Sequence, residues 1–145
     1  METSGVFNQY QKTNVGTADQ RQLILMMYDG AIQHIQQAQL KLQSNDILGK
    51  GLDIAKAQRI VSELQNALDL KRGGEIAVSL DTLYVFVNNQ LSMANLKNSQ
   101  EYLNNAIAVL KELREAWQGI ALSENRSSLP VEDQVLGRRQ FGTSP

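Results

Sequence analysis

The chain carries a single histidine, His34, and no cysteine, and these two facts bound the chemistry open to it. Without cysteine there are no disulfides, thiolate metal sites or cysteine nucleophiles. A ferritin-like di-iron bundle needs a Glu-x-x-His pair on each of two helices, and the residue three before His34 is Ala31. His34 therefore reads as a solvated or capping side chain. The serines lack the GxSxG elbow of a nucleophile, and a single histidine makes a triad improbable. Glu112 and Glu115 sit among Lys111 and Arg114 and read as a solvated charged face. Gly49-Lys50-Gly51 lacks the other glycine and the Ser/Thr of a phosphate loop. Arg138 and Arg139 form too short a run for a nucleic-acid patch, and a net charge of −1 supplies no global attraction to nucleic acid or anionic lipid. Neither catalysis nor a cofactor nor a metal is indicated.

What the chain has in excess is apolar surface. Leu83 to Val87 reads LYVFV, five apolar residues in a row inside a longer helical stretch. A core-facing helix of a bundle uses about three of every seven positions. Between Ile76 and Leu96 thirteen of the twenty-one residues are apolar, beside a polar band through Asp81, Thr82, Asn88 and Asn89. Either other elements cover this helix, or part of it is a groove for a partner segment. Met26, Met27 and Tyr28 add a similar surplus near the start of the chain, and methionines suit adaptable surfaces. Ahead of them, Val6, Phe7, Tyr10 and Val15 are spaced through polar residues. Burying one such side chain is worth about 1.5–3 kcal/mol, while ordering each backbone residue costs roughly 1–2 kcal/mol. A segment so anchored docks marginally and is displaceable.

The elements that position these residues are helices. The two prolines, Pro130 and Pro145, leave the first 129 residues uninterrupted. Thr17 and Gln20 form a capping box for a first helix ending near Ser44, with Ile24, Tyr28, Ala31, Ile35, Ala38 and Leu42 on one stripe and Leu25 and Ile32 on a second. Asp46 caps a second, with Ile54, Ala57, Val61, Leu64 and Leu68 inward; Gly49 and Gly51 weaken its first turns. Lys71-Arg72-Gly73-Gly74 stops it, with Gly73 as a left-handed cap. A third helix runs from about Glu75 to Lys97 on Ile76, Leu80, Leu83, Val87 and Ala94. Asn98, with Glu101 three residues on, caps a fourth that carries Leu103, Ala106, Leu110, Leu113, Trp117 and Ile120 and ends near Leu122. The expectation is all-α: an antiparallel four-helix bundle over 17–122, a short N-terminal capping segment over 1–16 and a flexible C-terminal tail over 123–145. No secretory signal and no run of ~18 apolar residues is present, so a cytoplasmic protein without membrane insertion is expected.

Four stretches, TADQRQLILMMYDGAI (17–32), KAQRIVSELQNALDLKRGGEIAVSL (56–80), LYVFVNNQLSMAN (83–95) and LKELREAWQ (110–118), closely resemble FliS, the flagellin-specific chaperone family of bacterial flagellar type III export. Tyr28-Asp29-Gly30, the Gly73–Gly74 turn, the Leu83–Tyr84 pair and Trp117 carry the likeness in this order. The resemblance implies a cytoplasmic protein that binds the disordered C-terminal region of flagellin, blocks its premature polymerisation and delivers it to a component of the flagellar export gate. It implies that the N-terminal segment, with Val6, Phe7 and Tyr10, is a latch or partner contact. The client groove is expected at Met27, Tyr28, Leu83, Tyr84, Val87 and Leu91, with Gly30 and Trp117 in helix packing. Tyr84→Asp is expected to weaken client binding and leave the bundle folded. Another flagellar regulator or co-chaperone is a further possible partner, as is a second copy of the free protein. The alternative is a general helical adaptor for another amphipathic segment.

Overall fold

The computed structural model describes residues 20–123, the last four through their backbone alone. Four helices follow one another: α1 Gln20–Gln43, α2 Ile47–Asn66, α3 Gly74–Lys97 and α4 Gln100–Ser123. α1 packs on α2 and α4, and α3 packs on the same two, which gives the square arrangement of a four-helix bundle. The all-α expectation holds. The Thr17 half of the capping box, the 1–16 segment with Val6, Phe7 and Tyr10, and the tail from residue 124 lie outside the described residues.

α1 buries the expected stripe. Ile24, Tyr28, Ala31, Ile35 and Ala38, alternating steps of four and three, are all completely buried, and Leu25 and Ile32 broaden that face. The helix ends in a Schellman motif: Asn45 takes the left-handed conformation (φ 64°), its N–H donates to the Leu42 carbonyl, and the Asp46 N–H reaches back to that of Lys41. Asp46 then caps α2 at once, its carboxylate accepting from the Gly49 N–H at 2.9 Å. Gly49 belongs to this cap rather than weakening it, because a Cβ there would lie 2.3 Å from the Asp46 carboxylate.

α2 buries Ile54, Ala57, Val61 and Leu64 as expected, but it stops at Asn66, five residues before Lys71. Asp69 is the reason for the turn that follows: its carboxylate accepts from the N–H groups of Lys71 and Arg72, and its carbonyl from that of Gly73. The left-handed residue is Gly74 (φ 57°), not Gly73, and α3 starts directly from it.

α3 faces the core with Ala77, Leu80, Tyr84, Val87, Leu91 and Ala94. The expected stripe through Ile76 and Leu83 is therefore rotated by part of a turn: Ile76 is exposed and Leu83 only half-buried. Asn98 also changes role. It ends α3 in the left-handed conformation, and the Ser99 hydroxyl accepts from the Glu101 N–H to start α4. α4 buries Leu103, Ala106, Leu110 and Trp117, with Leu113 packed at the margin.

Candidate functional site

Among the described residues no three metal-ligating side chains converge. The polar groups that do meet tie helices together. His34 is not simply solvated: its Nδ1 lies 2.9 Å from Asp53 Oδ1, and Lys41 Nζ donates to Asp53 Oδ2 at 2.6 Å. Burial pushes the Asp53 carboxyl upward, but the hydrogen bonds from Lys41 and His34 outweigh it and hold the group below the usual carboxylate range. Lys50, in the Gly-Lys-Gly stretch, is buried. It donates to the Asn95 carbonyl (3.0 Å), Asn95 Oδ1 (2.8 Å) and Asn98 Oδ1 (2.6 Å), so it joins the start of α2 to the end of α3. Burial pulls its pKa below the ordinary lysine value. On the surface Arg114 grips both carboxylate oxygens of Asp29, tying α4 to α1. An exposed pair of this kind contributes about 0–1 kcal/mol. These contacts tie neighbouring helices together.

The residues expected to line a groove sit mostly inside. Tyr84 is 1% exposed, and Met27, Tyr28, Val87 and Leu91 are buried with it. The Tyr28 and Tyr84 hydroxyls share one hydrogen bond, with the Trp117 indole against both. Leu83, half-buried, is the one groove residue that reaches the surface. The expectation that Tyr84→Asp leaves the bundle folded is therefore corrected: a charge there would replace a core hydroxyl. Gly30 faces α2, and a Cβ on it would meet only the end of Ile60, at 3.4 Å.

The apolar surplus is real but lies on the opposite side of α3. Val78 (53% exposed), Val85 (43%) and Phe86 (41%) look outward, and Leu96 follows at the end of the helix. At 100° per residue, Val78, Thr82, Val85, Asn89 and Leu96 share one face, and Phe86 flanks it. Leu48 (76%) and Leu52 on α2 stand beside the end of α3, where Lys50 clamps the two helices. Between these apolar groups runs a polar seam. Gln58 Nε2 donates to the Asn88 carbonyl and to Ser92 Oγ, Asn88 Nδ2 to Ser62 Oγ, and Gln65 Nε2 to Asp81 Oδ1. Asn88 Oδ1 is buried and meets no donor among the described residues. An apolar face with a spare acceptor in its seam can take a segment that buries side chains and also brings a hydrogen-bond donor.

Sequence reasoning found the surplus and misplaced its exposed members. The signal that could have located them is the small-residue pair Ala77 and Ala94, which marks where neighbouring helices come close.

Comparison with known proteins gives a consistent picture. The FliS family, described as "Flagellar protein FliS", matches residues 4–124. The chain is similar to the Vibrio cholerae protein named "Flagellar secretion chaperone FliS", at 33% identity over 80% of this chain and 88% of the relative. It is 32% identical to a protein of the same name from Campylobacter jejuni, over 86% of this chain and 97% of the relative. A Salmonella typhimurium protein, again named "Flagellar secretion chaperone FliS", is 36% identical over 74% and 80%.

Proposed function

The chain belongs to the FliS family of flagellar secretion chaperones, and on that premise we propose that it binds the C-terminal segment of flagellin in the cytoplasm. Binding keeps the subunit from polymerising and presents it to the flagellar export gate. The observation that supports this reading is the outer face of α3, where Val78, Val85 and Phe86 stand exposed together. The client buries its own apolar side chains there, and the free energy of burial offsets the chain entropy it surrenders. Such holding needs neither cofactor nor catalysis.

In this proposal Leu83 borders the client, while Met27, Tyr28, Tyr84, Val87 and Leu91 support the surface from beneath. Gly30 and Trp117 keep α1 and α4 packed under it. The 1–16 segment, with Val6, Phe7 and Tyr10, is proposed as a latch or partner contact.

Calorimetric titration with a flagellin C-terminal peptide tests this directly. Saturable binding with a negative heat-capacity change is expected. Phe86→Asp should weaken it about tenfold to a hundredfold, the equivalent of losing one buried aromatic, with helical circular dichroism unchanged. Equal binding by a folded Phe86→Asp variant would remove the α3 face from the site. Binding of unrelated amphipathic peptides with similar strength would favour a general adaptor.

A further inference from the structure

The family match ends at residue 124, one position beyond the last residue of α4, and the chain continues to Pro145. The similarity to the Vibrio cholerae relative covers 88% of that protein but only 80% of this one. The added sequence is not uniformly polar. From Leu129 it reads LPVEDQVLGRR: a proline, two carboxylates at Glu132 and Asp133, apolar Val131, Val135 and Leu136, then Gly137 and two arginines. Proline and acidic residues at the front, with glycine and basic residues behind, are start and stop signals of a short helix. Val131 and Val135 lie four apart on one helical face, and Leu136 flanks it, 100° beyond Val135.

Topology puts the end of α4 beside the exposed part of α3. α3 and α4 are antiparallel neighbours, so the chain leaves α4 at the end where α3 begins. Leu70, Ile76 and Val78 are exposed at that end, and Val85 and Phe86 follow within about 12 Å along the helix. The six residue steps from Ser123 to Leu129 span up to ~20 Å, ample to cross from α4 to α3. The chain preceding Gln20 enters α1, which stands diagonally across the bundle from α3. Charge agrees with the placement. Lys71 and Arg72, the latter paired with Asp69 at 3.0 Å, are exposed in the turn ahead of α3, on the same end, and would face Glu132 and Asp133.

We propose that residues 129–136 of this chain dock on the outer face of α3 over Val78, Val85 and Phe86. The docked segment occupies within the molecule the surface assigned above to the client, so the client must displace it. The sharing of that surface rests on the functional reading; the docking itself does not.

The absence of cysteine makes the test clean. In the full-length chain, Gln134→Cys carries a single spin label, and methyl resonances of the bundle report its neighbourhood. The Val78 and Val85 methyl signals should be lost while those of Leu40, on α1, persist. Adding Val135→Asp and Leu136→Asp, outside the bundle, should restore them. Weak broadening everywhere, or loss unaffected by the two aspartates, would overturn the proposal. So would loss of signal in a mixture where spin label and observed methyls sit on different molecules, because the occupant would then be a second copy. A flagellin C-terminal peptide that restores the signals supports a shared surface. A peptide that binds without restoring them leaves the docked segment in place and moves the client elsewhere.

Discussion

The hydroxyls of Tyr28 on α1 and Tyr84 on α3 lie 2.5 Å apart, joining two helices that stand diagonally across the bundle. Their ring centroids are 6.4 Å apart and the rings are tilted by 43°. Trp117 of α4 closes the same pocket. Three helices therefore meet at one buried polar contact, and α3 turns its tyrosine toward the core.

Tyr84→Phe should cost about 1–3 kcal/mol, since it removes one hydroxyl and leaves that of Tyr28 short of a partner. Tyr84→Asp should lose cooperative unfolding altogether, because a carboxylate would replace a buried hydroxyl in the apolar core. Urea titration followed by circular dichroism distinguishes the two. Full helicity and a sharp transition in Tyr84→Asp would show that the pair opens without cost.

Stability should fall at both ends of the pH scale. Burial raises the Tyr28 and Tyr84 phenols above their ordinary 10.0, Tyr28 further than Tyr84, so their contribution is complete below pH 10 and falls above it, that of Tyr84 being lost as pH rises through about 12. Asp53 is shifted the other way. Its contribution is present above 3.8 and is lost as pH falls through its depressed folded value. Thermal melts of the protein and of Asp53→Asn should converge in acid. Melts that stay parallel down to pH 2 would mean that Asp53 is not linked to folding.

Gly30→Ala should stabilise the bundle by up to about 1 kcal/mol. Alanine is better than glycine in a helix interior by that amount, and the new methyl meets only the movable tip of Ile60. A loss of stability would show that α1 and α2 approach too closely there to give way. Client titration on the same variant tells whether the glycine serves binding instead.

Much of the bundle was legible in the chain because the signals are local. The Asp46 cap and the inward residues of α1 and α2 follow from spacing within a few turns of one helix. Errors arose at helix junctions, where Asp69 and Ser99 took roles that neighbouring residues were equally suited to fill. The site was harder. In the sequence Lys50 is only the middle of a failed phosphate-loop match; its role as a clamp depends on Asn95 and Asn98, which come from far along the chain.

By itself the sequence determined that four helices form, and that one of them has more apolar side chains than a core uses. Periodicity and capping act within a single helix, so they need no knowledge of its neighbours. The tertiary structure alone decided which apolar residues of α3 are core and which are surface. A helix apolar on most of its circumference has no preferred rotation of its own. Its phase is set by what it packs against, here Tyr28, Trp117 and the polar seam with α2. That choice buried Tyr84, Val87 and Leu91 and left Val78, Val85 and Phe86 facing outward.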